Sequence, residues 1–135
     1  MAGIGQTASA WAPRILSVLR IMTGLLFIEH GTMKFFNFPP SEMFAQGVEL
    51  VSLFGLAGVL ELVGGALIVL GLFTRPVAFI LSGEMAVAYF MGHAGQSFYP
   101  VINGGESAIL FCFIFLYLAC AGAGPWSVDA ARGKA

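Results

Sequence analysis

The chain has 135 residues, 59% of them hydrophobic and only 10% charged, with a mean hydropathy of +0.91. That apolar excess is more than a water-soluble core of this size needs and points to a single integral membrane domain. A net charge of -1 without a basic cluster argues against nucleic acid and leaves lipid, quinone, ion and protein as partner classes.

Residues 1–13 are small and polar, with Trp11 suited to the membrane interface and Pro13 suited to open a helix. They read as a cytoplasmic segment. A four-helix transmembrane domain follows over 14–121, with spans at about 14–36, 53–74, 76–93 and 106–121. The first span resembles a secretory signal in its basic flank and apolar centre. Glu29-His30-Gly31 follows that centre in place of a small-x-small cleavage site, so the helix is read as retained. Ser17, Gly24 and Gly31 recur at heptad spacing, as Ala57, Gly64 and Gly71 do in the second span, which predicts that the first two helices pack small face to small face.

Residues 37–52 contain Pro39-Pro40, Glu42 and Glu49 and read as the longest loop, lying along the bilayer as a short amphipathic segment. The second span, LFGLAGVLELVGGALIVLGLF, carries Glu61 at its centre. An ionised carboxylate there costs at least roughly 2.5 kcal/mol, so Glu61 is expected to face the bundle interior, protonated or paired. Thr74-Arg75-Pro76 forms a tight turn, and the third span brings Ala78, Ser82 and Ala86 as a close-packing stripe with Glu84 on another side. Gly92 to Gly105 is loop by composition, the fourth span starts at Glu106, and residues 122–135 are expected to be a soluble cytoplasmic tail. Cations number five (Arg14, Arg20, Arg75, Arg132, Lys134) against one (Lys34), which places both termini inside.

Each span thus contributes a carboxylate: Glu29, Glu61, Glu84 and Glu106. Glu29 beside Lys34, and Glu106 at a helix start, have plain structural readings at the interface. His30 and His93 read as interfacial residues or ligands. Glu61 and Glu84 are the candidates for catalysis by proton exchange, because packing alone has no need of two buried acids. Partners expected for Glu61 are Asn103, His93, Glu84 or a trapped water. If Glu61 and Glu84 meet, one of them keeps its proton. Metal is disfavoured: di-metal bundles use Glu-x-x-His, whereas Glu29 and His30 are adjacent and Glu84 and His93 are nine residues apart. Cys112 and Cys120 lie about 12 Å apart along one helix, too far for a disulfide.

Four segments together resemble the DoxX family of small bacterial membrane proteins: LRIMTGLLFIEHGTMKFF, GLAGVLELVGGALIVLGLFTRP, MAVAYFMGH and FYPVINGGESAILFCFIFLYLA. Glu61, Gly64, Gly65, His93, Asn103, Gly104, Gly105 and Glu106 match recurrent family positions. The resemblance implies a four-helix, multi-pass protein of the bacterial inner membrane. By association it implies a subunit linked to quinone-dependent oxidation of sulfur compounds or to oxidative-stress defence. A quinol site needs an apolar pocket, hydrogen-bond donors and a proton-exchanging group. Glu61, Glu84 and His93 supply the polar functions and Tyr89, Phe90 and Phe98 the walls, with His30, Asn103, Glu29 and Glu106 as further binding candidates. No haem, flavin, iron-sulfur or dithiol signature is present, so electrons must come from a partner protein. The competing readings are a proton-coupled small transporter and a purely structural accessory subunit.

Overall fold

The structure, a computed structural model, describes residues 3–135 and is all-helical among them. The elements are α1 (Ile4–Phe36), a 3-10 turn (Glu42–Phe44), α2 (Leu53–Val59), a π-helical turn (Leu60–Gly64) and α3 (Gly65–Leu70). They continue with α4 (Thr74–Gly92), α5 (Pro100–Asn103), α6 (Glu106–Ala121) and α7 (Val128–Ala131). α2, the π turn and α3 form one continuous rod, Leu53–Leu70, which with α1 has the length and apolarity to cross a bilayer. α6 is equally apolar but shorter.

α1 is organised by two heptad seams that lie side by side. Ser17, Gly24 and Gly31 form one and Arg20, Phe27 and Lys34 the other, and all six residues are buried. The glycine seam fixes α1 against the α2–α3 rod. A Cβ on Gly24 would meet Val69 Cγ2 at 2.7 Å and Gly65 O at 3.0 Å; one on Gly31 would meet Leu62 Cγ at 2.7 Å and Gly58 O at 3.0 Å. Contacts of this kind let two backbones approach directly.

The pairing is therefore small face to small face as expected, but through Gly58 and Gly65, not Ala57 and Gly64. The offset is one residue on both sides of the π turn, since Gly58 precedes it and Gly65 follows it; Gly64 turns toward α4, where an added Cβ would meet Leu81 Cδ2 at 2.8 Å. Ser17 leaves the seam and serves the C-terminal segment.

α4 and α6 make the other tightly packed pair, antiparallel, with Ser82 Oγ donating to Cys112 O at 2.8 Å. Between the two pairs lies an aromatic centre: Phe27 stands edge-on to Phe115 with ring centroids 4.9 Å apart, and Phe111 completes the group at 5.5 Å. Bundle packing thus runs up, down, up, down, with the long loop and the 93–105 loop at one end and both chain ends at the other.

The distribution of polarity is inverted relative to a soluble protein. Arg20, Lys34, Glu61, Asn103 and Asp129 are buried, while Met22, Leu56, Phe79, Phe90 and Phe113 are exposed. A surface of this kind suits a hydrocarbon solvent, where apolar side chains face out and polar groups find partners inside.

Two sequence-based expectations change. α1 begins at Ile4 and passes through Pro13, which does not open it; the flanking turns are exposed, so water can satisfy the carbonyl that Pro13 leaves without a donor. Residues 37–52 form an irregular loop with one 3-10 turn. The segment 122–135, expected to be a soluble tail, folds back onto the bundle.

Candidate functional site

α1 ends and α2 begins at the long-loop end. Helical side chains lean toward their own N-terminus, so Lys34 leans toward the bundle centre and Glu61, on the antiparallel rod, leans to meet it. The result is a buried ion pair. Lys34 Nζ donates to Glu61 Oε2 at 2.8 Å and to Oε1 at 2.9 Å, with the residues 7% and 3% exposed. Its remaining contact is weak, His30 O at 3.5 Å. Glu61 thus faces protein, and its partner is Lys34, not Asn103 or His93. Lys34 correspondingly does not serve Glu29 at the interface.

Glu84 reaches the same level from α4. Leu81 packs on Gly64, the helices are antiparallel, and Glu84 lies one turn beyond Leu81 just as Glu61 lies one turn before Gly64. The carboxyl feels the charges of both Glu61 and Lys34. Both of its oxygens are buried and neither has a hydrogen-bond partner. One cation and two acids therefore share one layer of the bundle, with one acid doubly hydrogen-bonded and the other bare. The π turn holds Glu61 in this layer, and turns of that type recur at functional sites.

On the loop side the layer is closed by Phe44. Its ring lies 5.4 Å from Lys34 Nζ and 5.6 Å from the ring of Phe54. The same phenylalanine lines an open depression of about 320 Å³ with Met43, Gly47, Val48, Glu49, Ser52 and Phe54. Phe44 thus adjoins both this hollow, of mixed apolar and polar lining, and the buried ion pair.

The other sequence candidates fall into separate places. His30 sits edge-on to Phe111 at 5.8 Å and, with Glu29, lines a hollow of about 80 Å³ beside Met33 and Pro39. His93, Asn103 and Tyr89 form a knot that holds the 93–105 loop. Asn103 Nδ2 donates to Tyr89 Oη at 3.1 Å and to Ser97 O at 3.0 Å, Asn103 Oδ1 accepts from Gly105 N at 2.8 Å, and His93 Nδ1 lies 2.9 Å from Asn103 O. Both Nδ2 hydrogens and one lone pair of Oδ1 of Asn103 are engaged, so the residue organises the loop. Gly104 supplies a positive φ of 75°, and a Cβ on Gly105 would meet the Tyr89 ring at 2.6 Å. The NGG sequence follows from this knot. Glu106 is exposed, and Phe90 and Phe98 point outward at 73% and 87% exposure, so neither phenylalanine walls an interior pocket.

At the opposite end, the C-terminal segment is clamped to the bundle. Arg20 Nε donates to Ile68 O at 2.8 Å, its Nη2 to Trp126 O at 2.7 Å and its Nη1 to Ala123 O, so one guanidinium joins the last carbonyls of α3 to the returning chain. Asp129 then takes the Phe73 and Thr74 amides, each at 3.0 Å, at the start of α4. Phe73 has a positive φ of 52°, unusual for a bulky residue, and Arg132 lies 5.2 Å over its ring. Burial alone would raise the Asp129 carboxyl; the amide hydrogen bonds from Thr74 and Phe73, with the Arg132 charge, outweigh it and hold the group below its ordinary value.

Sequence reasoning missed Lys34, Phe44 and the clamp. The heptad spacing Arg20-Phe27-Lys34, adjacent to the glycine seam, was the available signal for Lys34. No local pattern announces Phe44 or Asp129, whose partners are supplied by distant segments.

A model of the DoxX family matches residues 15–94, more than half of the chain. A Haemophilus influenzae protein, described only as uncharacterized, is 47% identical over 122 residues, covering 88% of this chain and 91% of the relative. An uncharacterized membrane protein of Mycobacterium tuberculosis is 28% identical over 156 residues, covering 99% of this chain and 95% of the relative. No solved structure matches. With the family model running from α1 to the end of α4 and extended identity to the Haemophilus protein, this chain belongs to the DoxX family.

Proposed function

We propose that the chain is a four-span inner-membrane subunit, with both termini cytoplasmic, of a quinone-linked redox complex. A quinol ring docks in the depression of Met43, Phe44, Val48 and Phe54, and the Lys34–Glu61–Glu84 layer behind it exchanges the protons. The observation that carries this reading is the position of Phe44, which lines the hollow and lies 5.4 Å from the Lys34 ammonium. A quinone ring needs apolar walls, and its chemistry needs a proton acceptor close by.

Oxidation of a quinol releases two electrons and two protons. The chain has no redox signature, so the electrons pass to a partner protein bearing its own redox centre. The protons pass to the buried carboxyls or to water at the long-loop face. Glu84 suits this role because its carboxyl has no fixed hydrogen bond to break.

The test is purification from native membranes in mild detergent, lipid extraction, and quinol-dependent turnover of what co-purifies. We expect quinone and a redox partner to be recovered. Phe44→Ala is expected to lower quinone recovery, and Glu84→Gln to lower turnover in a complex that still assembles. A protein recovered free of quinone and of any redox partner overturns the reading.

A further inference from the structure

We propose that Lys34 is a mobile positioning residue that carries its ammonium between Glu61 and Glu84, so that the bundle core alternates between two electrically neutral states. The inference rests on the reading of this layer as a proton-exchange centre, and it is independent of whether the co-reactant is a quinone.

Three observations lead to it. The ammonium holds Glu61 through both oxygens at 2.8 and 2.9 Å, and its third direction meets only a carbonyl at 3.5 Å. Glu84, level with Glu61 on the neighbouring helix, has two buried oxygens and no donor. A lysine head on four methylenes can rotate toward a second acceptor without moving its helix, which the rigid fork of an arginine does far less readily.

The charges facing the layer come from α1 (Lys34, with the His30 ring at its edge), the π turn (Glu61) and α4 (Glu84). α6 contributes Phe111 and Phe115, and the long loop contributes Phe44. No other charged side chain among the described residues is buried at this level, so net charge is decided by these three groups.

In the state seen, Glu61 is the carboxylate paired with Lys34 and Glu84 carries the proton, because a bare buried carboxylate without a donor is costly. When Glu84 gives its proton to water, or to an acceptor at the long-loop face, its O–H bond breaks and a carboxylate remains. Lys34 moves to that carboxylate. Glu61, left without its cation, takes one proton from the aqueous side. One proton has left and one has entered, and the sum of charges over the three groups is zero before and after. No electron is transferred in this cycle. The lysine makes each protonation state of one acid depend on the other, which a fixed ion pair beside an unrelated acid would not do.

Infrared spectroscopy of the purified protein in lipid vesicles reads this directly through the carbonyl stretch of protonated carboxyls. In the wild type we expect one such band at neutral pH, absent in Glu84→Gln and so assigned to Glu84. In Glu61→Gln the ammonium has no carboxylate on the rod, so it moves to Glu84 and the band disappears. Persistence of the full Glu84 band in folded Glu61→Gln overturns the proposal, because it means that Lys34 does not reach Glu84. Glu61→Asp keeps the charge, shortens the reach by one methylene and spares the fold. It is expected to weaken the band by a measurable fraction, and an unchanged band again overturns the proposal. Lys34→Arg is expected to keep the pair with Glu61 and leave the Glu84 band intact. None of these spectra needs quinone or a partner, so failure of the redox reading and failure of the lysine exchange are separate results.

Discussion

Asp129→Ala offers the most direct test of whether the C-terminal segment is part of the folded bundle. Its carboxylate accepts two backbone amides at 3.0 Å, those of Phe73 and Thr74, and it holds Phe73 at a positive φ of 52°. Hydrogen bonds to a charged group contribute about 1.5–3 kcal/mol each, and loss of a helix-capping side chain costs about 0.5–2 kcal/mol. The clamp lies at the water-exposed end, where solvent can reach the freed amides, so about 2–4 kcal/mol is the expected loss. The sign of the pH dependence follows from the depressed carboxyl. Its contribution is complete above the ordinary aspartate value of about 3.9 and is lost as pH falls through the lower folded-state value. The chain has two tryptophans, so in a Trp11→Phe background Trp126 alone reports docking of the segment. We expect denaturant unfolding in detergent, followed by Trp126 fluorescence, to show the loss at neutral pH. The curves of Asp129→Ala and its Trp11→Phe parent should converge in acid. Equal stability at neutral pH, or a gap that does not narrow on acidification, would refute the clamp as described.

Lys34→Met leaves Glu61 buried without its cation and is expected to cost about 3–5 kcal/mol in the same unfolding assay. Adding Glu61→Leu removes the orphaned carboxyl and should restore most of that stability, while losing the infrared exchange; no recovery in the double variant would argue that the pair is not the buried element it looks to be. Gly24→Ala places a Cβ 3.0 Å from Gly65 O and from Val69 N, backbone atoms that cannot turn aside, and should cost about 1–3 kcal/mol. Gly83→Ala, with nothing within 4 Å, serves as the control and should be near neutral. Reporter fusions after Ala135 and within the 37–52 loop should score cytoplasmic and external respectively, and matching scores at both sites would rule out the proposed topology.

Much of the bundle was legible in the residues because the solvent is hydrocarbon. Apolar runs, Gly and Pro breaks and heptad glycines follow from bilayer thickness and backbone approach, which are local or periodic properties of the chain. Glu61 announced its own burial for the same reason: a carboxylate in mid-span has nowhere else to go. Its partner was another matter. Lys34 reads locally as a cation near a helix end, and only the antiparallel register of α1 against the α2–α3 rod brings its ammonium to Glu61. The same docking of the rod decided that Gly58 and Gly65, not Ala57 and Gly64, meet α1 and that Gly64 turns to α4. Glu84 lies level with Glu61 through that second contact. The polar C-terminal segment looked soluble because its composition is. Whether such a segment stays free is fixed by the acceptors and donors that the rest of the fold leaves open. Here the Arg20 guanidinium and the unpaired amides of Phe73 and Thr74 were waiting at the bundle end, and Trp126 and Asp129 satisfy them.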